Sequence, residues 1–219
     1  MGLSSSDSPI LVTGFDAFGP GRTQGRNPSG LAAQALHGRR LGGHRIEGVC
    51  LPTEFDRAAE QLSLLLDTHR PLVVLSLGQA GGRAAIGLER VAINCIDASL
   101  PDNTGHQPID EPVVPDGPAA YFSTLPIKAC VEALHQAGLP AEVSQSAGTF
   151  VCNAVFYRLM HLLAQQARLV RAGFVHLPWL PEQGRPHLAL NEAVRAIERV
   201  ILTTLETDRD LRLSGGSIS

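Results

Sequence analysis

The chain has 219 residues, 44% hydrophobic and 18% charged, with a net charge of −3. Those proportions fit a soluble globular protein with one sizeable core. With no basic run, they exclude nucleic acid as the main partner, and no apolar stretch is long enough to span a bilayer as a helix, so no membrane partner is expected.

The opening MGLSSSDSP lacks the charged and apolar regions of a signal peptide. Gly2 followed by Ser6 fits the loose myristoylation pattern, but residues 1–8 read as a disordered leader. Residues 9–15 (PILVTGF) form a short apolar run ended by glycine, which predicts a buried strand. The loop DAFGPGRTQGR follows. Asn27 and Pro28 then open a helix as N-cap and first-turn proline, and it runs through Leu31 and Leu36 to Gly38.

Residues 45–51 predict a second strand. Thr53 to Asp56 read as a capping box for a helix ending near His69. The continuous apolar run 71–77 (PLVVLSL) is the kind buried on both faces of a parallel sheet, and it breaks into GQAGGRAAIG. Residues 88–96 predict one strand or hairpin arm, and residues 97–117 a long polar loop of the kind that often carries function. A helix opens at Pro126 and ends at Gly138, and residues 142–145 give a short strand. An amphipathic run with Val155, Phe156, Leu159, Leu162 and Leu163 starts a helix at or near Cys152. Residues 172–177 predict a strand stopped by Pro178, and residues 187–207 a final helix. Strands alternating with helices predict an α/β sandwich around a mostly parallel sheet, with residues 9–207 as one domain and 208–219 as a disordered tail.

Cys50, Cys95, Cys130 and Cys152 form no Cys-x-x-Cys pair, which points to free thiols in a reducing, cytoplasmic setting. No His-Glu-x-x-His pattern occurs, and no metal or other cofactor is expected. Cys152 sits where a helix N-terminus favours a thiolate, which makes it a candidate nucleophile, although a lone Cys there also reads as a small buried hydrophobe. A nucleophilic thiol needs a base and an orienting group. His176 interrupts an apolar strand at its carboxyl end, where ligands collect in α/β sheets. Glu89 begins an otherwise apolar strand, with Asp97 and Asp102 as rival orienters among turn residues. The glycine-rich turns after the first and third apolar strands match neither Gly-x-Gly-x-x-Gly nor a P-loop, so a nucleotide site has weak support. Phe15 and Phe18 suit an apolar pocket better.

Four segments then resemble one family. LVTGFDAFG, AGGR with LERVAIN, SAGTFVCNAVFY and FVHLP occur in the order of the signatures of type I pyroglutamyl peptidases, cysteine exopeptidases that release N-terminal pyroglutamate (5-oxoproline). The resemblance implies a Cys152, His176 and Glu89 triad, working through a thioester without a cofactor. It implies a ring pocket of Phe15, Phe18, Thr53, Gln79, Leu100, Phe150 and Val151. A three-layer α/β/α sandwich around a mostly parallel, mixed sheet, a cytoplasmic location and a homo-oligomer, dimer or tetramer, come with it. The alternatives are a non-catalytic small-ligand-binding protein with a structural Cys152, or a nucleoside-phosphorylase-like enzyme.

One departure bears on mechanism. Many relatives read Asp-Ala-Arg-Ile-Pro-Asp-Asn where this chain has DASLPDN, residues 97–103. Ser99 replaces an arginine thought to lie near the developing oxyanion. The backbone N–H of Cys152 is one expected donor, and Ser99 and Arg83 are candidates for the second.

Overall fold

The computed structural model describes residues 8–19, 25–166 and 168–216. The leader before Ser8 with its Gly2 and Ser6 pattern, residues 20–24 of the first glycine-rich loop and the last three residues lie outside them. The elements in chain order are β1 (Ile10–Phe15), α1 (Pro28–Leu36), β2 (Arg40–Leu41), β3 (His44–Leu51), α2 (Phe55–His69), β4 (Val73–Gln79), β5 (Ile86–Glu89), β6 (Val91–Ile93), β7 (Ala120–Phe122), α3 (Ile127–Gln136), β8 (Ala141–Ser144), α4 (Val151–Ala164), β9 (Arg171–Leu177) and α5 (Leu190–Glu206).

A seven-stranded sheet runs in the order β2-β3-β1-β4-β9-β5-β8. β3, β1, β4 and β9 are mutually parallel, while β5 runs antiparallel to β9 and parallel to β8, so the sheet is mixed. Alternate side chains of the central strands enter different layers, as the two-residue period of a strand requires. Ile10, Val12, Leu75 and Leu77 pack with residues of α1, α3 and α5, whereas Leu11, Val74 and Phe174 pack with α2 and α4. The result is the expected three-layer sandwich, and it explains why β1 and β4 read as unbroken apolar runs.

Asn27 caps α1: its Oδ1 accepts from the Ser29 N–H at 3.0 Å and the Ser29 hydroxyl at 2.8 Å. The helix lies so close to β1 that a Cβ on Gly14 would fall 2.1 Å from the Ser29 carbonyl oxygen, a separation only glycine permits.

Three local expectations are corrected. The stretch 88–96 is not one strand: the chain leaves the main sheet at Arg90, and β6 pairs instead with β7 in a separate two-stranded sheet. The capping box at Thr53–Asp56 does not form. Glu54 is the N-cap of α2 and makes no side-chain cap, while Asp102, distant in sequence, accepts from the Phe55 N–H at 3.1 Å. The last helix starts at Leu190, because residues 187–188 are held to Trp179, whose carbonyl accepts from the Leu188 N–H at 2.8 Å. After α5, Asp210 accepts from the N–H groups of Lys128 and Ala129, and the Gly215 carbonyl accepts from Arg90 and Gln145. No helix among the described residues is long and apolar enough to cross a membrane.

Candidate active site

Cys152 lies in the first turn of α4. Phe150 is the N-cap and offers no side-chain acceptor, so no N-cap side chain satisfies the leading N–H groups of the helix. The helix start is held from behind by Asn153, nearly fully buried. Its amide donates to the carbonyls of Ile93 and Cys95 at 2.9 and 3.0 Å, and its oxygen accepts from the Ile93 N–H at 3.0 Å. The preceding turn is tied to the long loop by two bonds, from the Thr149 hydroxyl to the Asp97 carbonyl and from the Asp97 N–H to the Thr149 carbonyl, at 2.8 and 3.1 Å.

The register of three strands sets the candidate base. His176 of β9 lies opposite Gly78 of β4 on one side and Gly87 of β5 on the other. Its Nδ1–H donates to Glu89 Oε1 at 2.7 Å, and both side chains are buried. A carboxylate there fixes the tautomer that leaves Nε2 free as a base. Arg83, from the loop after β4, donates to the same Oε1 at 3.0 Å. It also reaches the Ser144 hydroxyl at 3.2 Å and the Ser146 carbonyl at 3.3 Å. The rival orienters serve elsewhere: Asp97 is exposed, and Asp102 holds the Thr104–His106 turn as well as α2.

Burial pushes the Cys152 thiol up to about 12, and the Glu89 carboxylate adds to the rise. Arg83 and the Cys152 N–H act in the opposite direction. Desolvation and a nearby anion thus oppose the thiolate that the helix terminus favours, although Cys152 is itself only half-buried. Burial also pushes Cys130 to about 12, offset in part by Thr204 and reinforced by Asp210, and raises Cys50 with help from Asp16.

An aromatic cluster lies beside this centre. Phe18 and Phe150 have ring centroids 5.9 Å apart, and Phe55 meets Phe150 edge-on at 5.4 Å and His106 at 6.0 Å. Phe55 was missed in the sequence, where it reads as an ordinary apolar helix position. Val151 is fully buried at the start of α4, and Leu100 is half-buried in the long loop. Phe15 lies deeper: it is 2% exposed and packs 6.4 Å from Phe174, which itself lies 4.9 Å from His176. Thr53 is buried and locks two loops together. Its N–H donates to Asp16 Oδ1 at 2.7 Å and its hydroxyl to the Asp16 carbonyl at 3.1 Å, and Asn103 donates to the same Asp16 Oδ1 at 3.1 Å. Gln79 ends β4, and its oxygen accepts from Gln183 at 3.0 Å, a partner with no sequence signal. Ser99 is exposed. Among the described residues no group of three or more His, Cys, Asp or Glu could hold a metal ion.

A family model described as pyroglutamyl peptidase matches residues 8–207. The chain is 51% identical to a pyrrolidone-carboxylate peptidase of Cupriavidus taiwanensis, over 95% of this chain and 98% of that protein. It is 46% identical to a protein of the same name from Bacillus cytotoxicus, with the same coverage. Among solved structures, pyroglutamyl peptidase I from Bacillus amyloliquefaciens superposes with a TM-score of 0.90 at 39% identity, covering 95% of this chain and 100% of that one. The pyrrolidone carboxyl peptidase of Thermococcus litoralis gives 0.88 at 35% identity, covering 97% and 99%.

Proposed function

The chain belongs to the pyroglutamyl peptidase family, and we infer from that premise that it is a cysteine exopeptidase releasing pyroglutamate from peptide N-termini. The observation that carries the reading to particular residues is the buried 2.7 Å bond between His176 and Glu89, set in a site whose charges act on Cys152.

In the proposed mechanism Cys152 Sγ attacks the carbonyl carbon that follows the 5-oxoproline ring while its proton passes to His176 Nε2. Glu89 holds the imidazole and stabilises the cation that forms. The tetrahedral oxyanion takes hydrogen bonds from the uncapped N–H groups at the start of α4. Collapse breaks the C–N bond, and His176 returns the proton to the leaving amine. The thioester is then hydrolysed by water that His176 deprotonates, giving free pyroglutamate and the thiol. No cofactor enters. With the Arg83 guanidinium occupied by Glu89, Ser144 and Ser146, the Ser99 hydroxyl is the side-chain candidate for the second oxyanion donor.

Phe18, Phe150 and Phe55 form the proposed ring pocket, with Val151 and Leu100 beside them, Thr53 and Gln79 at its polar edge and Phe15 as its backing. The lactam lets the pocket be apolar, because pyroglutamate carries no ammonium to desolvate. A free N-terminal Glu would bring one in without a partner. Assembly as a dimer or tetramer and a cytoplasmic location belong to the same reading, and light scattering on purified protein tests the assembly. Release of a chromogenic amine from pyroglutamyl, prolyl and glutamyl amides tests the specificity. Turnover confined to the pyroglutamyl substrate is expected, and equal turnover of the prolyl amide refutes the pocket.

A further inference from the structure

Glu89 is fully buried, and its hydrogen bonds are lopsided. Oε1 accepts from both His176 and Arg83, while Oε2 has no partner among the described residues. A buried carboxylate held this sparsely is costly to keep ionised unless a fixed cation sits against it. Arg83 is that cation, and the same guanidinium bonds the Ser144 hydroxyl at the end of β8 and the Ser146 carbonyl in the turn leading into α4. Its planar fork therefore touches the strand that carries the orienter and the turn that delivers the nucleophile.

We propose that Arg83 is a positioning residue, which sets the charge and place of Glu89 relative to the turn before Cys152 and acts on catalysis through Glu89. The proposal rests on the peptidase reading above and extends it by one residue. Among the described residues, the charged or titratable groups set against Glu89 are His176 from β9, Arg83 from the β4–β5 loop and Cys152 from α4. Arg83 thus places a fixed positive charge at 3.0 Å from Glu89 Oε1, and its removal leaves the buried carboxylate without that cation.

The test measures kcat and KM against pH on a pyroglutamyl chromogenic amide for wild type, Arg83→Gln, Arg83→Lys, Glu89→Gln and the double variant Arg83→Gln/Glu89→Gln. Arg83→Gln is expected to lower kcat by about 10- to 100-fold, the scale of a misplaced catalytic group, with KM within ~3-fold. With that cation removed, the acid limb of kcat/KM should move up. Arg83→Lys keeps the charge and should restore the acid limb but only part of kcat, because an ammonium cannot match the fork. In the Glu89→Gln background the Arg83 change should add little, since both act through one carboxylate. An unmoved acid limb, or effects that multiply in the double variant, overturns the proposal. Were wild type inactive on the pyroglutamyl amide, the peptidase reading would fall by itself. Arg83 is then judged by the rate of iodoacetamide alkylation of Cys152, which should be several-fold slower in Arg83→Gln and close to wild type in Arg83→Lys. An alkylation rate that does not depend on the charge at this position also overturns it. The Lys variant and the alkylation assay keep the test decisive if Arg83→Gln fails to fold.

Discussion

Gly78→Ala is the sharpest perturbation of the proposed base. A Cβ at this position would lie 2.7 Å from Phe174 Cε1, 2.8 Å from His176 Cδ2 and 2.9 Å from His176 Nε2. Ordinary carbon contacts begin near about 3.5 Å, so the imidazole must retreat by roughly 0.7 Å or the strand must move. The ring is also held on its far side by the 2.7 Å bond to Glu89, so the retreat strains that bond as well. A displacement approaching 1 Å in a catalytic group costs on the order of 10²-fold in rate, and overpacking a tight core costs about 1–3 kcal/mol. The expected result is kcat lowered by ~10²-fold in a folded protein whose Tm falls by several degrees. Gly87→Ala is the control: its Cβ meets the flexible end of Arg83 at 3.0 Å and Glu89 only at 3.5 Å, so its kcat should fall less. Steady-state kinetics on a pyroglutamyl amide with thermal melts of both variants checks this. A folded Gly78→Ala protein with kcat within ~3-fold of wild type refutes the placement of His176 as the base.

Other outcomes follow from the same geometry. Glu89→Gln should lower kcat by on the order of 10⁴ or less, as for triad orienters, and a wild-type kcat removes it from the mechanism. Phe18→Ala should lower kcat/KM by a factor equivalent to roughly 1–3 kcal/mol with little change in Tm; Phe55→Ala and Phe15→Ala should each cost about 3–5 kcal/mol of stability, because both side chains are core. Burial alone would raise Asp102, but the Thr104 hydroxyl and the N–H groups of Phe55, Thr104 and His106 hold it below the usual carboxylate range. A depressed folded value adds stability above the unfolded value of about 3.9, and that stability is lost as pH falls through the folded value. Asp102→Asn should therefore melt below wild type at neutral pH and converge with it in acid; a constant gap across pH would show that the charge is not what stabilises.

The sheet and its helices were legible wherever one physical signal dominated. The unbroken apolar runs of β1 and β4 announced strands covered on both faces, and Asn27–Pro28 announced α1. The His176–Glu89 pair was legible because a histidine and a glutamate interrupt apolar strands, and burying either without a partner is costly. What stayed hidden was long-range. Nothing local to Phe55 says that its helix is capped by Asp102, and Asp102 among Pro101, Asn103 and Gly105 reads as a turn residue. The split of 88–96 at Arg90 depends on β7, a three-residue strand too short to carry a pattern. At Cys152 a helix terminus is visible in sequence, whereas desolvation and the charge of Glu89, which oppose it, come from packing.

The central claim is that Cys152 Sγ is the nucleophile, and the most direct measurement is turnover by Cys152→Ala protein. Purified wild type and variant, matched by circular dichroism and Tm, are assayed side by side on a pyroglutamyl chromogenic amide under dithiothreitol. The account predicts steady release of the amine by wild type and none above the reagent blank from the variant. Hydrolysis by Cys152→Ala within about a hundredfold of wild type, well short of the loss expected when a triad nucleophile is removed, contradicts it.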